Sequence, residues 1–132
     1  MNEEATLIST FVDAVKRKHL IEILANPKRR ARATATLAHF NDFDPNAVVH
    51  LGSDMQTPAA IEGALRSRGA GEKCHVISEN RAIDGKTVPL KLALEKVVGQ
   101  GMGTLLSCVA GELAYYEGQS PADRSILARR AT

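Results

Sequence analysis

The stretch from Lys73 to Glu117 limits the fold more than any other part of the chain. An apolar run ends at Ser78-Glu79-Asn80. A helix-like segment follows, then a glycine-rich connection and two more strand-like runs. Strand, crossover helix, strand and hairpin in that order is the pattern of an α/β domain. Such folds place ligands where strands end and loops begin, so the pattern points to a place for a site but not to its chemistry.

The chain has no Trp and only 4% aromatic residues, so its core has to be built from Leu, Ile, Val and Ala. That suits helices packed on a small sheet. Its 132 residues fit a single domain, one that buries roughly two-thirds of its unfolded surface. No apolar run approaches the ~20 residues that span a bilayer. The start, Met1-Asn2-Glu3-Glu4, has neither the basic nor the apolar part of a signal peptide, so a cytoplasmic location is expected. Cys74 and Cys108 sit in apolar runs without Cys-x-x-Cys spacing and read as buried thiols. A disulfide between them requires their strands to be neighbours.

Along the chain, a first helix is expected from about Thr6 to Ala25, with Leu7, Ile8, Phe11, Val12, Val15 and His19 on one face. Asn26-Pro27 restarts the chain as cap and first helical residue, and a second helix reaches about Phe40. Val48–Leu51 is the first strand, and Thr57-Pro58 opens a helix to about Arg68. Cys74–Ser78 is the second strand, with a turn at Asp84-Gly85 and a helix from about Pro89 to Val98. Thr104–Val109 and Glu112–Glu117 form a hairpin around Ala110-Gly111, and Ser120-Pro121-Ala122-Asp123 reads as the start of a C-terminal helix to Arg130.

The resulting order is ααβαβαββα. It predicts an α/β three-layer sandwich with a mostly parallel four-stranded sheet, in which only the last strand is antiparallel. Residues 1–132 form one domain: an N-terminal helical pair over 1–40, a βαβαββ core over 45–117 and a C-terminal helix over 120–130. Leu113–Tyr116 is expected at a sheet edge, covered by the last helix or by a second subunit.

Two sets of residues stand out as candidate sites. The loop after the second strand carries Ser78, Glu79, Asn80, Arg81, Asp84 and Lys86 at the edge where α/β folds bind ligands. Ser78, Glu79, Asn80, Asp84 and Lys86 are its candidate ligand-binding residues. Glu79 and Asp84 have the chemistry of an acid/base pair, although their spacing is not diagnostic. The simpler reading is a polar turn whose Asn and Asp bond their own backbone.

The second set is basic. Lys16, Arg17, Lys18, Lys28, Arg29, Arg30 and Arg32 face a single acid, Glu22, between positions 16 and 32. That window carries +6 in a chain of net +2, leaving −4 elsewhere. Cations in the first turn of a helix oppose its dipole, and an anion docking on the amides after Asn26 would relieve the conflict. The simpler reading is a solvated basic face.

Gly99-Gln100-Gly101-Met102-Gly103 leaves a helix and enters a strand, the reverse of a dinucleotide loop, and reads as a helix stop and tight connection. The four histidines and two cysteines have no zinc spacing, and there is no nucleophile elbow or phosphate loop. No cofactor, metal site or catalytic residue is expected.

The leading expectation is a small non-catalytic binding or regulatory module with its ligand at Ser78–Lys86 and Tyr115 or Tyr116 at a protein interface. A polyanion or RNA binder using the basic segment comes second. An enzyme using Glu79 and Asp84 comes third. A homo-oligomer fits the apolar end of the first helix, and no membrane partner is expected.

Overall fold

The computed structural model describes residues 2–52 and 54–129. Five helices, α1 (Glu3–Phe11), α2 (Ala14–Ala25), α3 (Arg30–Ala35), α4 (Pro58–Ser67) and α5 (Leu90–Val97), cover the two faces of one six-stranded sheet. Its strands are β1 (Val48–His50), β2 (Lys73–Ser78), β3 (Thr87–Pro89), β4 (Thr104–Val109), β5 (Leu113–Glu117) and β6 (Ser125–Ala128). They lie in the order β1-β6-β5-β4-β2-β3, and every neighbouring pair is antiparallel.

The mostly parallel, four-stranded sheet expected from the sequence is therefore wrong. The crossover helices do link strands of the same direction: α4 joins β1 to β2, and α5 joins β3 to β4. Neither pair is adjacent. β2 lies between β3 and β4, while β6, β5 and β4 lie between β1 and β2, so hydrogen bonding is antiparallel throughout.

The other corrections follow from short elements. Val12 is extended and bridges Phe43, which splits the expected first helix in two. Asp13 then caps α2 by accepting from the Val15 amide at 3.3 Å. The break rotates α2, so Leu20, Ile23 and Leu24 face the core while Val15 is 83% exposed and His19 is exposed. The expected C-terminal helix lasts one 3₁₀ turn, Pro121–Asp123, and gives way to β6; Arg130 lies outside the described residues. β5 is consequently an inner strand between β4 and β6, not an edge.

Side chains alternate across the sheet with the two-residue period of a strand. Ile77, Leu105, Ala114, Tyr116 and Leu127 pack under α1–α3, and Val76, Leu106, Leu113, Tyr115 and Ile126 under α4 and α5. Both edge strands are three residues long, and β3 carries a proline, which limits pairing with other chains.

Candidate functional site

The loop after β2 is held by the groups that looked available for a ligand. Ser78 Oγ shares a 2.7 Å hydrogen bond with Thr104 and accepts from the Asn80 amide at 2.9 Å. Asn80 Oδ1 accepts from the Ala82 amide at 3.0 Å. Glu79 Oε1 accepts from the Gly103 amide at 2.7 Å, tying the loop to the glycine-rich connection. Asp84 Oδ1 accepts from the Ser78 amide at 2.9 Å, and both Asp84 oxygens accept from Arg30. Glu79 and Asp84 thus serve different partners. Of the candidate ligand residues in this loop only Lys86 is exposed, and Arg81 of the same loop is exposed too.

One residue from each candidate set meets in a single cluster. Arg30, half-buried on α3, contacts Asp84 of the loop and Glu4 of α1, with N–O distances of 2.7 Å in each pair. Its Nη1 also donates to the Leu24 carbonyl at 3.2 Å, at the end of α2. His75 on β2 bonds Glu4 Oε2 at 2.7 Å through Nε2 and Thr87 at 3.3 Å through Nδ1. These side chains line an open depression of about 520 Å³.

Burial pushes the Glu4 carboxyl up, but hydrogen bonds from His75 and Arg30 outweigh it and hold the group at about 2 against an ordinary 4.5. The bonds to Asp84 and Glu4 raise the Arg30 pKa further. The Glu4 bond raises His75 above 6.5, against burial. Arg30, joined by His75 when it is protonated, compensates the Glu4 and Asp84 carboxylates here, and neither Glu4 nor His75 appeared among the expected site residues. Their partners lie 26 to 71 residues away in the chain, beyond the reach of any local pattern.

The rest of the basic window divides in two. Arg17 is half-buried, with Nε donating to the Val12 carbonyl at 2.7 Å, so it closes the end of α1. Lys16, Lys18, Lys28, Arg29 and Arg32 are exposed, and none has an ion-pair partner among the described residues. The expected amide site after Asn26 is occupied internally. Asn26 Oδ1 accepts from the Lys28 amide at 3.0 Å, and its carbonyl accepts from the Arg29 and Arg30 amides at 2.9 Å. α3 starts only at Arg30 and is six residues long, so an anion would meet side chains alone.

Bases outnumber acids among the most exposed side chains, while eight acids and two bases are half-buried. Among the described residues thirteen Lys and Arg side chains are exposed against six Asp and Glu. Glu117 is the buried acid among the described residues, and Glu4, Glu79 and Asp84 are half-buried in internal bonds. Sequence charge counting cannot tell a carboxylate bonded to a cation, as Glu4 and Asp84 are, from a solvated one.

The tyrosines expected at an interface are in the core: Tyr115 is 0% and Tyr116 3% exposed. Tyr115 donates its hydroxyl to Glu117 at 2.5 Å, and burial pushes its pKa up. Glu117, 1% exposed, also accepts from Arg124 Nε and, at 3.0 Å, from the Gly99 amide. Tyr116 bonds the Leu37 carbonyl and stacks edge-on against Phe43. Among the described residues no helix is long and apolar enough to cross a membrane, and no group of three or more His, Cys, Asp or Glu is placed to hold a metal ion.

Comparison of the chain with protein-family models, curated proteins and solved structures finds no match.

Proposed function

We propose that the protein is a non-catalytic binding module that takes a nucleic-acid backbone on the basic residues of α2, α3 and the turn between them. The observation that carries this reading is the run of five exposed cations between positions 16 and 32 without an ion-pair partner among the described residues. Lys16, Lys18, Lys28, Arg29 and Arg32 are left exposed, and the sequence between positions 16 and 32 holds one acid, the exposed Glu22. Mobile cations without carboxylate partners are the groups that neutralise phosphates and release counterions.

Both tyrosines are buried, so base stacking has no tyrosine to use and contact rests on phosphates. Such binding is sequence-tolerant. It also weakens steeply with salt, by roughly 0.9 log units of affinity per log unit of salt for each duplex phosphate neutralised and roughly 0.7 for single strands.

The test is fluorescence anisotropy of short labelled duplex and single-stranded oligonucleotides, titrated at low and near-physiological salt. Micromolar or tighter binding that weakens with salt, and weakens alike on all sequences when Lys28, Arg29 and Arg32 are changed to Ala, supports the reading. Absence of binding at low salt, or binding indifferent to those changes, sinks it.

A further inference from the structure

The antiparallel register of β2 and β4 brings the two cysteines of the chain together. His75 lies opposite Ser107 and Val76 opposite Leu106. Continued by one residue, that register would set Cys74 across from Cys108. Both side chains pack into the core beneath α4 and α5, where Cys74 is buried and Cys108 half-buried. Cys108 is the extra residue of a β-bulge, at which the pairing of β4 with β5 shifts between Ser107 and Val109.

Directly opposed residues of an antiparallel pair have Cα atoms about 4.5 or 5.5 Å apart. Both spacings fall in the range of roughly 4.4–6.8 Å that a disulfide spans. We propose that Cys74 and Cys108 form a reversible cross-strand disulfide, made by exchange with a small-molecule disulfide such as oxidised glutathione. The bond would tie β2 covalently to β4, the ladder through which the β2–β3 hairpin joins the rest of the sheet.

The exchange balances without another cofactor. Cys108, the cysteine whose residue is the more exposed of the two, loses its proton and attacks one sulfur of oxidised glutathione, forming a mixed disulfide and expelling one glutathione thiolate. Cys74 then loses its proton and attacks the Cys108 sulfur, expelling the second glutathione thiolate. Each leaving thiolate takes up a proton, so two protein thiols are oxidised and one glutathione disulfide is reduced to two thiols.

In the reduced protein Cys108 Sγ donates to the Leu106 carbonyl at 3.7 Å, a weak contact that is given up when the side chain turns to Cys74. Burial pushes Cys74 up to about 12 and raises Cys108 as well. Thiolate is therefore scarce near neutrality, exchange is slow, and its rate rises with pH.

The experiment incubates the reduced full-length chain with oxidised glutathione at mildly alkaline pH, followed by intact-mass measurement and peptide mapping without reduction. The expected product is a monomer lighter by two hydrogens, with the Cys74 and Cys108 peptides joined, a higher thermal midpoint, and reversal by dithiothreitol. Cys74→Ser should stop at a glutathione adduct on Cys108, and Cys108→Ser should give no cross-link. If the folded wild-type chain ends as a stable glutathione adduct, as a disulfide-linked dimer or unreacted, while the urea-unfolded chain oxidises, the proposal is overturned. The wild-type result decides this even if a serine variant fails to fold.

Discussion

Arg30 grips Glu4 with two parallel hydrogen bonds, Nη1 to Oε1 at 2.7 Å and Nη2 to Oε2 at 2.8 Å, while its Nε and Nη2 hold Asp84 at 2.7 and 2.9 Å. One guanidinium thereby joins α1, α3 and the loop after β2. Its side chain is 21% exposed, with Glu4 at 13% and Asp84 at 17%, so water screens these pairs only in part. Arg30→Met leaves two carboxylates without their shared cation. It should lower stability to urea by about 2–4 kcal/mol. A change below about 0.5 kcal/mol would make the cluster incidental, as most surface pairs are.

The same cluster sets a pH dependence with two limbs. His75 has a folded pKa above its ordinary 6.5, so it binds its proton more tightly when folded. Its contribution is fully present below 6.5 and is lost as pH rises through the folded value. Glu4 is depressed from 4.5 to about 2, so its contribution is present above 4.5 and is lost as pH falls towards 2. The acid limb should amount to roughly 3 kcal/mol. Urea midpoints measured across pH should flatten on the alkaline side in His75→Gln and on both sides in Glu4→Gln, which also removes the bond that raises His75.

Much of this architecture was legible where local chemistry dictates structure. Thr57-Pro58 does start α4, with Thr57 accepting from the Ala60 amide at 3.1 Å. Gly99, at φ 80°, does end the segment after α5. The sheet was misread because β3 is three residues long and ends in proline, too short for alternation to register. Missing one strand reversed the inferred direction of the next. Ser125-Ile126-Leu127-Ala128 shows no strand alternation because helices cover both faces of the sheet. Continuous apolar runs report the number of layers, not strand direction. Within Lys28-Arg29-Arg30-Ala31-Arg32 nothing local marks Arg30 as the internally bonded cation. Its partners are set by the tertiary fold.

The buried pair of Glu117 and Arg124 answers to a different rule. Glu117 is 1% and Arg124 6% exposed, and Tyr115, the Gly99 amide and Gln56 complete their hydrogen bonds. Glu117→Gln keeps the shape but strands the Arg124 charge, and should cost about 3–5 kcal/mol. Tyr115→Phe removes one hydroxyl and should cost about 1–2 kcal/mol. Because the two act on one network, the double variant should lose less than the two single losses together in a double-mutant cycle. Strict additivity would show that the network does not act as a unit.

Two glycines separate packing from backbone freedom. A Cβ on Gly103 would lie 2.3 Å from the Ala38 amide nitrogen and 2.4 Å from the Leu37 carbonyl carbon, both backbone atoms that cannot turn aside. Gly103→Ala should therefore lose more than about 4 kcal/mol or fail to fold. Gly63, in the middle of α4, meets nothing within 4 Å. Gly63→Ala should gain about 0.5–1 kcal/mol from helix propensity alone. Thermal melts of the two variants should move in opposite directions.

The basic segment allows stability and binding to be tested apart, because its cations divide into bonded and solvated ones. Arg29 and Arg32 are exposed without ion-pair partners among the described residues, whereas Arg30 between them in sequence is committed to Glu4 and Asp84. Arg29→Gln and Arg32→Gln should leave urea stability within about 0.5 kcal/mol of wild type. On duplex DNA each should reduce the salt slope of binding by roughly 0.9. Arg30→Gln should do the reverse, lowering stability while leaving the salt slope of the folded fraction intact. If Arg30→Gln alters the slope as much as its neighbours, Arg30 leaves its carboxylates to meet phosphate, and the cluster belongs to the binding surface. If none of the three alters it, the phosphate contacts lie elsewhere on the exposed basic surface, and the assignment to α2 and α3 fails.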